Sequence, residues 1–199
     1  MSDIPALKFA TDANLKWAVL FHNHVKQALE ARLCLFMESD NLSDTDKNYW
    51  KEVYSNQFSK ELRLTTFLLF FAHLEETLFH LCSVKKYDLT KLSKGYGIGR
   101  FKPMIKELLP CPLSSYKPYE VIIDAQYIRN SFLHVAGRVS LSKDSEAIYS
   151  VMKKRNSDYI IKHDRIQVTP QGLLGLQTSI SSLCNDLINS KVVDESART

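Results

Sequence analysis

The sequence has few of the residues that interrupt helices or cross-link a chain. Its 199 residues include only six glycines, six prolines and four cysteines. The cysteines lie far apart and form no C-x-x-C pair, which excludes a zinc ribbon and a dithiol redox motif. We expect them to be buried or semi-exposed thiols. No internal repeat or low-complexity segment is present.

Targeting and membrane signals are also missing from the sequence. The first residues, MSDIPALKF, lack the basic region and the long apolar region of a signal peptide. The most apolar run, FLLFFAHLEETLF, is interrupted by His73, Glu75 and Glu76 well before the roughly 20 residues that a membrane span needs. We therefore expect a cytoplasmic protein without a membrane partner.

The composition is that of an ordinary globular protein, with 45% hydrophobic and 24% charged residues. This length suffices for one well-buried core and is short for two. The 26 basic side chains exceed the 22 acidic ones by four, so the surface is mildly basic and compatible with a polyanionic partner. We predict a single domain over residues 1–199, with a polar, frayed tail from about residue 191.

Apolar spacing predicts two long helices in the first half of the chain. Residues 11–38 repeat apolar side chains at helical spacing, with Thr11 or Asp12 as the N-cap. After a polar break, a second helix begins at a cap on Ser43 or Asp44 and extends to about residue 83. Its second half is apolar on nearly every face, which is typical of a central helix packed against several neighbours.

The second helix is predicted to kink around Asn56. After this helix, shorter elements are predicted in the remainder of the chain. The G-Y-G-I-G spacing within residues 93–100 matches neither a dinucleotide fingerprint nor a P-loop, so we interpret it as a loop before the short helix FKPMIKELL. A further helix is predicted from Tyr119 to near Gly137. The segments YII and RIQV then form a small hairpin, and Thr169 caps the last helix. The predicted fold class is therefore all-α, a helical bundle with a small β-hairpin insertion before the last helix.

The helix that begins at Tyr119 contains the segment YIRNSFLHVAG, residues 127–137. Two stripes on this helix are offset by about 160°, at 3.6 residues per turn. The stripe expected to face the core comprises Val121, Ala125, Ile128, Phe132 and Val135. The stripe expected to face outward comprises Ile123, Tyr127, Asn130 and His134. This places Asn130 and His134 one turn apart, with Arg129 beside them.

Arg129, Asn130 and His134 together suit phosphate chemistry. A guanidinium offers a planar fork of donors to phosphate oxygens and stays charged at any cellular pH. A histidine exchanges its proton near neutrality, so it can take a proton from a ribose 2′-hydroxyl or donate one to a leaving oxygen. An asparagine can orient either group without adding charge. These three residues are sufficient for transesterification of RNA without a metal or another cofactor, and no ligand set for a metal is apparent in the sequence.

The segment RNSFLH, residues 129–134, followed by Gly137, resembles the R-N-x3-H signature of HEPN domains. These all-α modules occur in prokaryotic toxins, phage-defence proteins and RNA-processing factors. The order of elements is also similar: an early apolar helix carrying Glu75 and Glu76, a glycine-containing loop, the motif helix, a hairpin and a closing helix. The resemblance covers most of the chain, but it includes only one specific sequence motif.

The resemblance implies a homodimer in which two motif helices meet. Arg129 and His134 of both subunits would line a composite cleft that cleaves RNA to a 2′,3′-cyclic phosphate and a 5′-hydroxyl without a metal. The two histidines would act as base and acid, giving a bell-shaped pH dependence of cleavage. An antitoxin or sensor protein would be a further expected partner.

Other side chains are candidates for supporting roles. We expect Glu75 or Glu76 to form an ion pair with an arginine or to face the cleft. Tyr127 lies on the outward stripe, next to the motif. A basic run before the hairpin is a candidate RNA-binding patch, although an ordinary solvated surface explains it equally well. It comprises Lys153, Lys154 and Arg155.

Two functions therefore remain open from the sequence. The first is an endoribonuclease, a toxin or phage-defence effector. The second is a non-catalytic HEPN-like module that binds nucleotide or RNA or serves only dimerisation. If the motif is an accidental match on a solvated helix face, neither function follows from it.

Overall fold

The chain folds into helices that are joined by short turns and accompanied by one β-hairpin. The computed structural model describes residues 4–95 and 97–190, and the predicted frayed tail from residue 191 lies outside them. An all-α fold with a small hairpin before the last helix is confirmed. Its elements are α1 (Ile4–Glu38), α2 (Asp44–Glu52), α3 (Ser59–Val84), α4 (Lys102–Leu108), α5 (Lys117–Val135), α6 (Ser145–Lys154), β1 (Tyr159–Lys162), β2 (Arg165–Val168) and α7 (Pro170–Asn189).

Helix α3 is the centre of the core, as its apolar sequence predicts. Its fully buried side chains include Phe67, Phe70, Phe71, Leu74 and Leu78. Helix α1 packs on one side of α3, while α5 and α7 pack on the others. A helix with neighbours on several sides needs apolar side chains on most of its surface, and only a narrow strip of α3, which includes Glu76 and His80, is exposed.

Helix α1 begins earlier than its sequence predicts, at Ile4 rather than at Thr11. Thr11 is buried inside the helix, where its hydroxyl donates to the Leu7 carbonyl at 2.8 Å. The same hydroxyl lies 3.3 Å from Thr77 Oγ1 of α3. The prediction of a cap at Thr11 or Asp12 was wrong, because the threonine satisfies its hydroxyl within the helix and across the packing surface instead of ending the helix.

The predicted cap at Ser43 is confirmed. Its hydroxyl accepts from the Asp46 backbone N–H at 3.2 Å, and the Asp46 carboxylate accepts from the Ser43 backbone N–H at 3.2 Å, forming a capping box. Around Asn56, where a kink is predicted, a π-helical turn occupies Val53–Phe58 before α3 begins. Trp50 of α2 stacks on Phe36 of α1 with ring centroids 4.9 Å apart, which fastens the two helices.

The segment between α5 and the hairpin contains a helix, α6, that its sequence does not predict. The predicted hairpin is confirmed, with Tyr159 opposite Val168 and Lys162 opposite Arg165. The turn residues His163 and Asp164 both have positive φ, which matches the twist of a two-residue hairpin.

Helix α7 begins as predicted, with Thr169 as its N-cap and Pro170 at its first position. The Thr169 hydroxyl accepts from the Gly172 backbone N–H at 3.0 Å and donates to the Ser157 carbonyl at 2.7 Å. A Cβ on Gly172 would lie 2.2 Å from the Asp158 carbonyl oxygen. The glycine therefore permits the backbone before the hairpin to lie directly against α7.

All four cysteines are free, as expected from their spacing. Cys82 and Cys184 are buried, Cys111 is partly buried and Cys34 is exposed. Burial raises the pKa of the Cys184 thiol to about 12. The two buried thiols therefore act as small apolar core residues.

The helical stretch Asp44–Val84 satisfies length and composition criteria for a membrane span, with a mean hydropathy of 1.3 in its most apolar window. Of that window, 44% is buried within the fold. The central helix of a water-soluble bundle meets the same criteria, so the expected absence of a membrane partner stays a prediction.

Candidate functional site

Helix α5 positions the motif and ends directly after it. The helix is closed by two residues in the left-handed region, Ala136 with φ of 52° and Gly137 with φ of 74°. The Gly137 N–H donates to the Ser131 carbonyl at 3.0 Å. A Cβ on Gly137 would approach the Phe132 ring to 2.7 Å. The expected glycine at the helix end is therefore required both by its backbone angle and by the motif phenylalanine.

The buried side of α5 is rotated from the predicted stripe. Of the predicted core residues, Ala125 and Ile128 are fully buried, whereas Val121, Phe132 and Val135 are only partly buried. The residues that are buried are Tyr119, Ile122, Asp124, Ala125, Ile128 and Ser131. Asp124 and Ser131 are polar, and a periodicity based on apolar residues alone misplaced the stripe for this reason.

Arg129 lies between α5 and α3 rather than in open solvent. Its Nη2 atom is 3.1 Å from Glu75 Oε1, and its guanidinium lies 5.7 Å from the centroid of the Phe71 ring. Both charged side chains are largely buried, with 21% and 25% of their surface exposed. Among the described residues, Glu75 Oε1 has no donor in hydrogen-bond geometry, so the contact is an ion pair. Glu75 thus holds the motif arginine, one of the two alternatives expected for the acidic pair.

Glu76 faces another direction and contacts histidines of its own helix. Its carboxylate lies 3.7 Å from His73 Nδ1 and 3.9 Å from His80 Nε2. It is half exposed, and within the described part of the chain its ion pairs are with these two histidines. Of the two glutamates, only Glu75 lies next to the motif.

Asn130 and Tyr127 border a cleft of about 310 Å³ between α5 and the turn before α4, which we call the motif cleft. Tyr119 and Gln126 also line it, together with Ile123, Gly99 and Lys102. The Oε1 atom of Gln126 is buried without a hydrogen-bond partner in the described part of the chain. The cleft therefore combines an apolar wall with amide and phenol groups that can bind a polar ligand.

Sequence reasoning missed Tyr119, Gln126 and Lys102 as residues of this cleft. Tyr119, Ile123, Gln126 and Asn130 follow helical spacing of four, three and four residues, a signal that could have joined Tyr119 and Gln126 to the motif. Gly99 and Lys102 come from a different element, and no local pattern places them there.

His134 lies in the last turn of α5 and is exposed. Its imidazole has no hydrogen-bond or ion-pair partner within residues 4–95 and 97–190. It is therefore available to a substrate or to a second chain. Within one chain Arg129 is held against α3, Asn130 borders the motif cleft, and His134 faces solvent.

The basic run at the end of α6 has two different sets of contacts. Arg155 Nε lies 2.6 Å from Asp124 Oδ2, and Lys154 Nζ lies 2.8 Å from the same oxygen. Lys154 also pairs with Glu120, and this hydrogen bond lowers the pKa of the glutamate. These pairs fasten α6 to α5 and neutralise two of the three charges. Lys153 is exposed, and the proposed role of the run in RNA binding rests mainly on it.

A second and larger cleft, of about 530 Å³, separates the hairpin from the start of α3 and reaches the end of α5 at Phe132 and Ala136. We call it the hairpin cleft. Its lining includes the basic side chains Lys60, Lys162, His163 and Arg165 and the acidic side chains Glu52 and Glu61. The sequence did not indicate this cleft, because its residues come from α2, α3, the end of α5 and the hairpin.

No grouping of three or more His, Cys, Asp or Glu side chains that could hold a metal ion occurs among the residues that the structure describes. No protein-family model, curated protein or solved structure matches the chain. The functional assignment therefore depends on the motif and on its placement.

Proposed function

We propose that the protein is a metal-independent endoribonuclease of the HEPN type, a toxin or phage-defence effector that acts on cytoplasmic RNA as a homodimer. The observation that carries the proposal is the position of His134 at the end of α5, exposed and without a partner among the described residues, one turn from Asn130 at the motif cleft. An ionisable side chain with no packing role, next to a cleft and an arginine, suits general acid–base catalysis.

The proposed roles follow from the chemistry of the side chains. One His134 takes the proton from the 2′-hydroxyl as O2′ attacks phosphorus, and His134 of the second subunit donates a proton to the departing O5′. The O5′–P bond breaks, and the products are a 2′,3′-cyclic phosphate and a 5′-hydroxyl. Arg129 has five N–H donors, so its ion pair with Glu75 leaves donors for the phosphate.

The test is cleavage of total RNA by the purified protein in the presence of a chelator, beside His134→Ala and the matched variant His80→Ala. Both histidines are exposed, so neither change should alter folding. We expect His134→Ala to reduce the rate by about a hundredfold or more, as loss of a general acid–base group does, and His80→Ala to retain it. Analysis of the product ends should show cyclic phosphate and 5′-hydroxyl.

Arg129 is tested by Arg129→Lys rather than by Arg129→Ala alone, because alanine would leave the largely buried Glu75 unpaired. Lysine keeps the charge and loses the fork of donors.

Equal cleavage by the wild type and His134→Ala would contradict the catalytic assignment. A chelator that abolishes the activity would contradict the metal-independent mechanism.

The second candidate is a non-catalytic HEPN-like module that binds nucleotide or RNA or serves dimerisation. The specific observation in its favour is the ion pair of Arg129 with Glu75 within one chain, which gives the arginine a structural role without any substrate. No cleavage by any variant, together with an intact dimer and measurable RNA binding, would favour this candidate.

A further inference from the structure

Helix α1 exposes an apolar face along almost its whole length. Its large exposed side chains are Trp17, Leu20, Phe21 and Leu35. Between and beyond them the face is made of alanines, namely Ala6, Ala10, Ala13, Ala28 and Ala31. With His24, these positions lie within about 100° of arc at 100° per residue. We call this face the α1 stripe. A continuous apolar strip of this kind marks an interaction surface.

The spacing of the α1 stripe suits a long contact with another helix. Trp17 lies eleven residues after Ala6 and eleven before Ala28, and His24 is likewise eleven residues from Ala13 and from Leu35. An 11-residue repeat, about 3.67 residues per turn, keeps a stripe nearly parallel to the helix axis and gives a slight right-handed supercoil. The span from Ala6 to Leu35 is roughly 44 Å at 1.5 Å per residue.

The order of side chains in the α1 stripe is symmetric about the point between Leu20 and Phe21. Residues at equal distances from that point would meet if two copies of α1 packed antiparallel about a two-fold axis. The pairs are Ala6–Leu35, Ala10–Ala31, Ala13–Ala28, Trp17–His24 and Leu20–Phe21. Alanine meets alanine or leucine toward the ends, where the two backbones can approach closely, and the bulky side chains meet at the centre. We propose that the α1 stripe is a homodimer interface in which a second copy of this chain packs antiparallel in this register.

The exposed area is adequate for a stable dimer. The exposed fractions are 74% for Phe9, at the edge of the stripe, 62% for Trp17 and 47% for Phe21. Because an aromatic side chain has a surface of about 200 Å², these three fractions together correspond to roughly 370 Å² of aromatic surface exposed to water. Leucines and alanines add to this, and an ordinary interface covers about 800 Å² per partner. The α1 stripe and Phe9 at its edge together therefore supply a large part of the surface that such a dimer buries.

The distribution of charge favours a second copy over an acidic or basic partner. From Ala6 to Leu35 the α1 stripe contains no Lys, Arg, Asp or Glu, and Glu38 follows on the same arc one turn beyond it. Lys8, Asp12, Lys26 and Glu30 lie about 130° or more from its centre, and Lys26 and Glu30 pair with each other at 3.7 Å. Lys16 and Arg32 lie nearer, about 90° and 70° from the centre, and flank the stripe. In the antiparallel arrangement no two like charges are brought face to face within the stripe.

The α1 stripe and the motif lie on opposite sides of α3. On α3, Thr66 contacts His22 and Thr77 contacts Thr11 of α1, whereas Glu75 contacts Arg129 of α5. Thr66 and Glu75 are nine residues apart, about 180° around the helix. The α1 dimer is therefore separate from the dimer through α5 that the ribonuclease proposal requires, and either one can exist without the other.

The first experiment compares the molar mass of the wild type with that of Phe21→Glu by light scattering at micromolar concentrations. The substitution places two carboxylates beside the two-fold axis. We expect the mass of a dimer or of a closed tetramer to halve, and the mass of an open chain joined also through α5 to fall to that of two chains. Asn23→Glu is the matched control, since it adds the same charge to an exposed position outside the stripe and should leave the mass unchanged. Ala28→Glu, at another exposed stripe position, should lower the mass in the same way, and it replaces Phe21→Glu in the test if that variant folds poorly.

The second experiment fixes the register by disulfide formation in a Cys34→Ser background. Ala13→Cys and Ala28→Cys proteins should form a covalent dimer when mixed and oxidised. Each alone should not, because equivalent positions would be roughly 22 Å apart along the two helices, at 1.5 Å per residue, beyond the reach of a disulfide. Cross-linking of Ala13→Cys with itself, or a wild type with the mass of one chain, would overturn the proposal. Loss of cleavage in His134→Ala would be unaffected by either outcome.

Discussion

The ion pair between Arg129 and Glu75 gives the motif arginine a structural role that can be measured apart from any reaction. In Glu75→Gln the guanidinium stays between α5 and α3 without a counter-charge. We expect the free energy of unfolding to fall by about 1–2 kcal/mol, between the values for exposed and fully buried pairs. Urea denaturation of the wild type and the variant measures this change.

The adjacent residue provides the control for that change. Glu76→Gln removes the same charge from an exposed carboxylate that contacts only His73 and His80 among the described residues. Its effect on stability should be within about 0.5 kcal/mol. Equal losses in the two variants would mean that the contact of Glu75 with Arg129 contributes nothing.

His22 makes the stability of the fold depend on pH. Burial, with the positive charges of Arg63 and Lys26, lowers the pKa of its imidazole, whose Nδ1 lies 2.9 Å from Thr66 Oγ1. The unfolded chain therefore binds this proton more readily than the folded chain. The free energy of unfolding should fall as pH decreases below about 6.5, the unfolded value, and the loss should stop below the lowered folded pKa.

Denaturation curves of the wild type and His22→Asn across this pH range measure the contribution of His22. The asparagine variant should lack this part of the pH dependence, and His80→Gln, which changes an exposed histidine outside the α1 stripe, should retain it. A His22→Asn variant with the full wild-type slope would show that other groups cause the loss.

Two glycines of α7 provide a matched pair. A Cβ on Gly172 would meet the Asp158 carbonyl oxygen at 2.2 Å, whereas a Cβ on Gly175 would meet nothing within 4 Å. Gly175→Ala should stabilise the protein by up to about 1 kcal/mol through helix propensity. Gly172→Ala should destabilise it by several kcal/mol, because the hairpin must move away from α7. Thermal unfolding of both variants tests the close approach directly.

The basic run at the end of α6 should separate into structural and binding residues. Arg155→Ala leaves the largely buried Asp124 without its closest partner and should reduce stability by about 1–3 kcal/mol. Lys153→Ala should leave stability unchanged and, if the run guides RNA, should weaken RNA binding more strongly at low salt. Fluorescence anisotropy with labelled RNA, beside denaturation curves, distinguishes the two effects.

Long apolar segments and their caps allowed most helices and the hairpin to be predicted from the sequence. Ser43 and Thr169 were identified because capping is a local interaction between side chain and backbone. Helix α6 was missed because it is only ten residues long and polar on one side, and of its side chains only Ile148 and Val151 are buried. The start of α1 was misplaced because Thr11 satisfies its hydroxyl in a way that only the packed structure determines.

The candidate site was predictable only as a motif and not as a cavity. The positions of Asn130 and His134 on one side of α5 follow from helical spacing. The contact of Arg129 with Glu75 joins residues 54 positions apart, and the motif cleft needs Lys102 from another element. Such long-range contacts depend on how α3, α4 and α5 pack, which no local pattern encodes.

The central position of α3 has a consequence for how activity would respond to the amount of protein. With the motif on one side of α3 and the α1 stripe on the other, the two proposed two-fold axes are separate, and repeated association would give a closed tetramer or an open chain. A pair of chains joined through α1 alone would carry two half-sites facing away from each other. Under the proposed ribonuclease function, cleavage per chain would then rise with concentration, and dilution alone would suppress it.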